Sequence, residues 1–379
     1  VGPFPTELAL ILTHGSLDSY SVERIEQEMS NDRGDFVLHP SPCHLLPGSE
    51  MVLEWQLAAF PEGKFQETLL AAENGVWAEF AQETVFEGEK FEISVESRHL
   101  KGKIAVSCRG KDVPYLIRDG RLLVEYTPET LGEHRFDFQI GEKQFHIYGY
   151  CCRQFEKLLE KRVRFILKHQ QMKDPRSPLY GAFMIYDNEE HSPYYNYIWR
   201  DHNTSGERGN MGLLVCRWVQ MHPEDTEARE ALELYEQYLL RETYEVETGI
   251  VHGDIGKHSC RVRLYNTAGL INFWLELYRL KKDIKYLKWV VRSIRLFYSS
   301  GGIRFYPNGT LFSDAIDMIR EAGLTADADE LTELLRKHVT QIRTIGICYP
   351  PHEVHFEQTI ATPAVAIPAA FHDRIDPDP

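Results

Sequence analysis

The chain has 379 residues, 43% of them hydrophobic and 26% charged, with a net charge of −15. This excludes a disordered chain, and no apolar run approaches the ~20 residues of a membrane span. The acidic balance argues against a sequence-independent grip on nucleic acid or anionic membrane.

In chain order, Leu8–Leu12 is too short for a signal-peptide core and has no basic region before it. Residues 1–74 read as a β-rich segment, part of a larger β-sandwich, with Met51–Leu57 as a strand and Glu23–Met29 as a short helix. Residues 75–150 read as an Ig-like β-sandwich of roughly seven strands. Lys90–Glu96 and His134–Ile140 alternate apolar and polar, and Arg118-Asp-Gly-Arg121 has the composition of a two-residue hairpin. Beyond Tyr150 the apolar period turns helical. Phe155–Gln170 carries one stripe, and further helices are expected at about 209–221, 226–242, 264–281, 284–299, 311–322, 325–343 and from about 357. The tail from Pro368 is expected to leave the helix. Long loops rich in Gly, Asp, His and aromatics alternate with tight turns such as Lys281–Asp283, a repeat of helical hairpins with a period of roughly 50–60 residues.

Seven cysteines, at 43, 108, 151, 152, 216, 260 and 348, include an adjacent pair and no C-x-x-C spacing. That fits neither a disulfide framework nor a zinc site. Reduced, mostly buried thiols are expected, which favours a cytoplasmic location.

The hairpin Leu264–Phe297, following a β-sandwich, resembles the six-hairpin glycosidase superfamily. Tyr197-Ile-Trp-Arg-Asp-His-Asn-Thr-Ser-Gly-Glu-Arg-Gly-Asn-Met-Gly212 and Tyr349-Pro-Pro-His-Glu-Val-His-Phe-Glu-Gln-Thr359 are similar to the β-glucuronidases of glycoside hydrolase family 154. The resemblance covers about residues 75–365. It implies N-terminal β-sandwich domains followed, over residues 151–379, by an (α/α)6-type toroid as the catalytic domain. About eight helices are read where a full toroid has twelve, so either the ring is incomplete or segments lie outside this sequence.

Glycoside hydrolysis uses two carboxyl groups, about 6.5–9.5 Å apart for inversion and about 5–5.5 Å for retention. In a toroid such groups belong on the loops before inner helices. The richest loop, Asp187–Met211, also holds Glu189, Glu190 and His191. Glu207 is the expected general acid, with Asp201 or Glu357 as the second carboxylate. Tyr197 and Trp199 offer stacking faces for sugar rings. Arg200, Arg208, His202 and His352 are candidates for binding a uronate carboxylate and hydroxyls. His355 and Glu353 share the second loop with His352, whose spacing is not H-E-x-x-H, so no metal is assigned. Asp254, in Gly249–Asp254, is a further substrate-binding candidate, with Lys257, His258, Arg261 and Arg263 near it to balance an acidic sugar. Taken singly, each of these residues is as well accounted for by a helix cap or hairpin packing. The clustering in the first loop favours function. Cys216 sits on an apolar helix face and is read as packing.

The leading expectation is an exo-acting glycoside hydrolase on uronic-acid-containing sugars, a β-glucuronidase, needing no cofactor. Its partner is an acidic carbohydrate, with no nucleic acid and no membrane, and self-association into a homo-oligomer stays open. The enzymatic alternative is a polysaccharide lyase acting by β-elimination on uronates, with Tyr197, His202, Asn203 and Arg208 as its set. Domain order speaks against it, since toroid lyases generally place the β-sandwich after the helices. The non-enzymatic alternative is a carbohydrate-binding or helical scaffold protein.

Overall fold

The computed structural model describes residues 6–23, 35–100, 102–141, 143–195, 209–257, 263–350 and 358–375. The chain divides into two compact units, Val1–Leu158 and Leu159–Pro379.

The first unit is β-rich. β1 (Thr6–His14) pairs antiparallel with β4 (Glu54–Pro61), and β2 (Leu17–Glu23) with β3 (Asp35–Pro40). The β1–β4 ribbon buries Ala9, Ile11 and Phe60 and leaves Leu8, Leu10 and Leu57 exposed on its other face. A short helix, α1 (Phe65–Ala71), follows. Nine strands then form two sheets. One sheet, in the order β10-β11-β7-β5, contains β5 (Val76–Phe80), β7 (Phe91–Ser97), β10 (Tyr115–Arg118) and β11 (Arg121–Tyr126). The other, in the order β6-β13-β12-β8-β9, contains β6 (Thr84–Phe86), β8 (Ile104–Cys108), β9 (Lys111–Asp112), β12 (Gly132–Ile140) and β13 (Lys143–Cys152). The inward residues of β7 and β12 alternate as expected, so Phe91, Ile93, Val95, Phe136, Phe138 and Ile140 make one core. The short strands β6, β9 and β10 raise the count above the seven expected, because two to four residues carry too little alternation to read. The Arg118–Arg121 hairpin is confirmed, with Asp119 and Gly120 at φ 52° and 77°. Gly149 is required by packing, because a Cβ there would lie 2.6 Å from the Phe91 ring.

The helical unit follows the periodicity closely. α2 (Phe155–Phe165) runs into one π-helical turn, Ile166–Gln170. α3 (Gly209–Met221) and α4 (Thr226–Tyr238) come next, and α4 also ends in a π-turn, Leu239–Thr243. Then come α5 (Leu264–Lys281), α6 (Lys285–Ser299), α7 (Phe312–Glu321), α8 (Thr325–Ile345) and α9 (Gln358–Arg374). α3, α5, α7 and α9 are the inner members of successive hairpins, and α4, α6 and α8 are the outer ones. α5 buries residues on every side, including Leu270, Phe273, Trp274 and Leu277, as a helix enclosed by others must. None of the helices among the described residues is long and apolar enough to cross a membrane.

One expectation is corrected. α9 passes through Pro363 and Pro368 instead of stopping there. Each proline forfeits a helical hydrogen bond, but Ile367 and Phe371 are buried in the unit's core, and Arg374 pairs with Asp314 and Asp317. Tertiary contact overrides propensity there.

The inner helices are joined by ion pairs. Glu276 on α5, with a side chain 2% exposed, accepts from Arg217 of α3 at 3.1 Å, from Gln220 at 2.9 Å and from Arg279. Arg279 reaches Asp314 of α7 at 3.0 Å, and Arg374 of α9 reaches the same carboxylate at 2.6 Å. α3 also lies tightly on its neighbours. A Cβ on Gly212 would fall 2.3 Å from the ring of Tyr235, which is stacked on Phe183 and edged by Phe273. Gly212→Ala is therefore expected to lower the thermal midpoint. Overpacking costs about 1–3 kcal/mol, which outweighs the ~1 kcal/mol gained in helix propensity.

Candidate functional site

Each of these inner helices is preceded by a long segment, and α3, α5 and α7 are followed by a short turn. The long segments, 171–208, 244–263, 300–311 and 346–357, thus lead into the N-terminal ends of α3, α5, α7 and α9. This is the arrangement the loop-length pattern predicts.

Of the residues singled out in the sequence, Asp187, Glu189, Glu190, His191, Asp254, Lys257 and Arg263 lie within the described part. Glu207, Asp201, Glu357, Arg200, Arg208, His202, Tyr197, Trp199, His352, His355 and Glu353 lie outside the described residues, as do Asn203, His258 and Arg261.

Within the first segment, β14 (Ile185–Asp187) and β15 (Ser192–Tyr194) form a small hairpin. Asp187 serves its turn: its Oδ1 accepts from the backbone N–H groups of Glu189 at 2.8 Å and Glu190 at 3.0 Å. These bonds hold its carboxyl below the usual range. Glu189, Glu190 and His191 are exposed around this turn, so their density in the sequence reflects a solvated hairpin.

The second segment closes through a bridge between Tyr244 and Val251. Buried His252 bonds Glu245 at 2.8 Å. Thr248, at 2.8 Å, and His252 together lower the Glu245 carboxyl. Asp254 Oδ1 accepts from the Tyr195 hydroxyl at 2.7 Å and from the Ile255 N–H at 2.8 Å. A phenol and a carboxylate from two different loops are thus held in proton-transfer contact. Sequence reading placed Asp254 near a ligand but missed its pairing with Tyr195, 59 residues away. Lys257, a candidate to balance an acidic sugar, instead donates to the Leu240 carbonyl at 2.9 Å.

The third and fourth segments lock to one another. The Phe305 carbonyl accepts from His338 Nε2 of α8 at 2.9 Å and from the Tyr349 hydroxyl at 3.1 Å. Tyr349, Tyr306 and Ile342 make a small buried cluster here. Asn308 and Gly309 have φ of 46° and 69° and form the turn expected of Phe305–Gly309. Asn272 of α5 receives that turn, donating to the Gly309 carbonyl at 3.0 Å and accepting from the Leu311 N–H at 3.0 Å.

Away from these loops, Cys216 is fully buried and its thiol is pushed up to about 12, first by burial and then by Glu276. That agrees with a packing role. Cys43, Cys108, Cys151, Cys152 and Cys348 are also free thiols. An open cleft of about 430 Å³ lies beside Arg164, Trp218, His222 and Asp225, at the opposite, short-turn end of the hairpins. Burial works against the charge of Asp225. Bonds from Arg164, Trp218 and the Ala228 N–H nevertheless bring its carboxyl down to about 2, so this carboxylate is structural.

Neither a family model nor a curated protein matches the chain. Among solved structures it is similar to one described as a polysaccharide lyase, at 25% identity and a TM-score of 0.88. The match covers 98% of this chain and 56% of that one, so this chain spans little more than half of the other's length. More distant likenesses are a family 76 glycoside hydrolase from a bovine Bacteroides thetaiotaomicron strain and a thermostable endoglucanase from Alicyclobacillus acidocaldarius. They have 11% and 12% identity and TM-scores of 0.33 and 0.30. The first covers 78% of each chain, and the second covers 70% of this chain and 66% of the other. Both are too remote to bear on function. The fold is that of a β-sheet region followed by a helical-hairpin region of the partial-toroid type.

Proposed function

We propose that this chain belongs to a carbohydrate-active enzyme, and that its reaction is β-elimination on a uronate-containing polysaccharide. The observation that carries this reading is the likeness, along 98% of the chain, to a protein described as a polysaccharide lyase. The matched stretch includes the β region ahead of the helices, so domain order does not count against a lyase.

In β-elimination the proton at C5, acidified by the neighbouring carboxylate, goes to a base. The C4–O bond breaks, a C4–C5 double bond forms, and the leaving oxygen takes a proton. The site must neutralise the carboxylate and supply a base and an acid. Tyr197, His202, Asn203 and Arg208 are the residues proposed for these tasks. The Tyr195–Asp254 pair stands at the same end of the hairpins and offers a proton donor beside a carboxylate.

The test uses acidic and neutral polysaccharides together with nitrophenyl β-glucuronide. It follows both ultraviolet absorbance of the new double bond and nitrophenol release. Absorbance is expected to grow with the acidic polysaccharide alone and to fall by about a hundredfold or more in Tyr197→Phe. Nitrophenol release without new absorbance, abolished in Glu207→Gln, would instead establish the two-carboxylate hydrolase and overturn this reading.

A further inference from the structure

The π-turn Leu239–Thr243 that ends α4 sends two neighbouring charged side chains to two different loops. Arg241 Nη2 donates to the carbonyls of Tyr180 at 2.9 Å and Pro178 at 3.2 Å, both in the first long segment. Its Nε donates to Glu242 Oε1 at 2.6 Å. The other oxygen, Glu242 Oε2, accepts from the Gly256 N–H at 2.9 Å, in the second segment. A continuous path of hydrogen bonds thus runs from one loop, through the helix end, to the other. The Leu240 carbonyl of the same turn adds a second hold by accepting from Lys257 Nζ.

The Glu242 side chain is only 12% exposed. Ion pairs so placed add little net stability, because desolvation offsets the attraction; what this one secures is geometry. The turn it pins, Ile255–Lys257, contains Gly256 at φ 73°, a conformation glycine adopts without strain. Asp254 stands immediately before that turn, and its Oδ1 accepts from the Ile255 N–H and from the Tyr195 hydroxyl. The carboxylate of the Tyr195–Asp254 pair is therefore placed by the turn that Glu242 pins, and the phenol belongs to the segment that Arg241 holds. All of these groups surround one buried side chain, Tyr238. The Arg241 guanidinium lies 5.9 Å from its ring centre, and its hydroxyl is pushed well up, first by burial and then by Tyr235, Glu242, Tyr195 and Asp254. Single π-turns recur where a helix serves a functional site.

We infer that Arg241 and Glu242 are positioning residues of the proposed site: together they tie the two loops so that the Tyr195 hydroxyl and the Asp254 carboxylate stay in contact. This rests on the lyase reading above, in which that pair handles a proton. Neither Arg241 nor Glu242 needs to touch the substrate.

The test is a double-variant cycle, read as the rate of double-bond formation on the acidic polysaccharide that the parent cleaves, at a temperature where every chain is folded by circular dichroism. Glu242→Ala is expected to lower kcat about tenfold or more, because a small misplacement of reacting groups is costly, with KM near the parent's. Asp254→Ala is expected to lower kcat at least as far. In the Asp254→Ala background, Glu242→Ala should cost nothing further, since the group it positions is gone. Arg241→Met, which keeps an aliphatic stem over Tyr238, decides by the same cycle if Glu242→Ala does not fold. Equal losses in both backgrounds, or a lower melting midpoint with kcat unchanged, would mean that the pair only braces the fold. Either result overturns the inference and leaves the lyase reading intact, as does an Asp254→Ala chain as fast as the parent. A parent that forms no double bond on any acidic polysaccharide removes both.

Discussion

Glu276→Ala is expected to destabilise the helical unit by about 1–3 kcal/mol, the usual cost of removing a buried hydrogen-bonding partner. The carboxylate is almost fully enclosed and is shared by Arg217, Gln220 and Arg279. Removing it takes from Arg217 its carboxylate partner, while Arg279 keeps Asp314. Burial alone would raise the Glu276 carboxyl, but the bonds from Gln220, Arg279 and Arg217 prevail and hold it below the usual range. A denaturant titration of the parent and variant at neutral pH measures the loss. The double variant Glu276→Ala/Arg217→Ala should recover part of it, because it also removes the guanidinium that has lost this carboxylate. A single variant that unfolds at the parent midpoint would mean that water reaches the network.

The second large effect concerns pH. His338 is fully buried, donates from Nε2 to the Phe305 carbonyl, and lies 3.4 Å from the Tyr298 hydroxyl through Nδ1. Burial brings its imidazole down to about 4, against the smaller opposing pull of the Phe305 carbonyl. Above pH ~6.5 both folded and unfolded chains hold it neutral, and it contributes no pH dependence. As pH falls below that value the unfolded chain takes up a proton that the folded chain refuses. Stability should therefore decline by about 3 kcal/mol between pH ~6.5 and pH ~4 and level off below. The lowered carboxyls of Glu276 and Asp225 act in a lower window. Their contribution is present above the ordinary carboxylate values and is lost only as pH falls through their depressed ones. Unfolding midpoints at closely spaced pH values separate the two ranges. His338→Gln keeps a donor for Phe305 and does not titrate, so it should flatten the upper range; a slope there that survives the substitution assigns it to another group.

The helices were legible because a 3.6-residue apolar period sustained over many residues matches a helix with one buried face and does not match a strand. Lys285–Ser299, with Tyr286, Leu287, Val290, Val291 and Ile294 all buried, is the plainest instance. The hairpin at Asp119–Gly120 was legible because only a few residues tolerate positive φ at both positions. Features set by tertiary contact were not. The prolines of α9 look like stops until Phe371 and Arg374 are seen to be held by α7 and α8. Glu276 looks misplaced in Trp-Leu-Glu-Leu-Tyr because its partner Arg217 is 59 residues away. For the site, composition pointed to the long-loop end of the hairpins and brought Asp254 into view. It could not separate hydrolase from lyase, since both chemistries draw on the same Tyr, His, Arg and carboxylate inventory.

The two π-turns have a bearing on how such a protein can diversify. Each widens the last turn of a helix, and the chain leaves it by pairing across the base of the following loop, Gln171 with Phe183 and Tyr244 with Val251. The same clasp thus appears twice, fastening each loop to the scaffold at its root with backbone groups. Side chains at the tip take no part in that fastening. The pairing at each root is made by backbone groups and so does not depend on which side chains the loop carries farther along, which lets one rack hold differing loops.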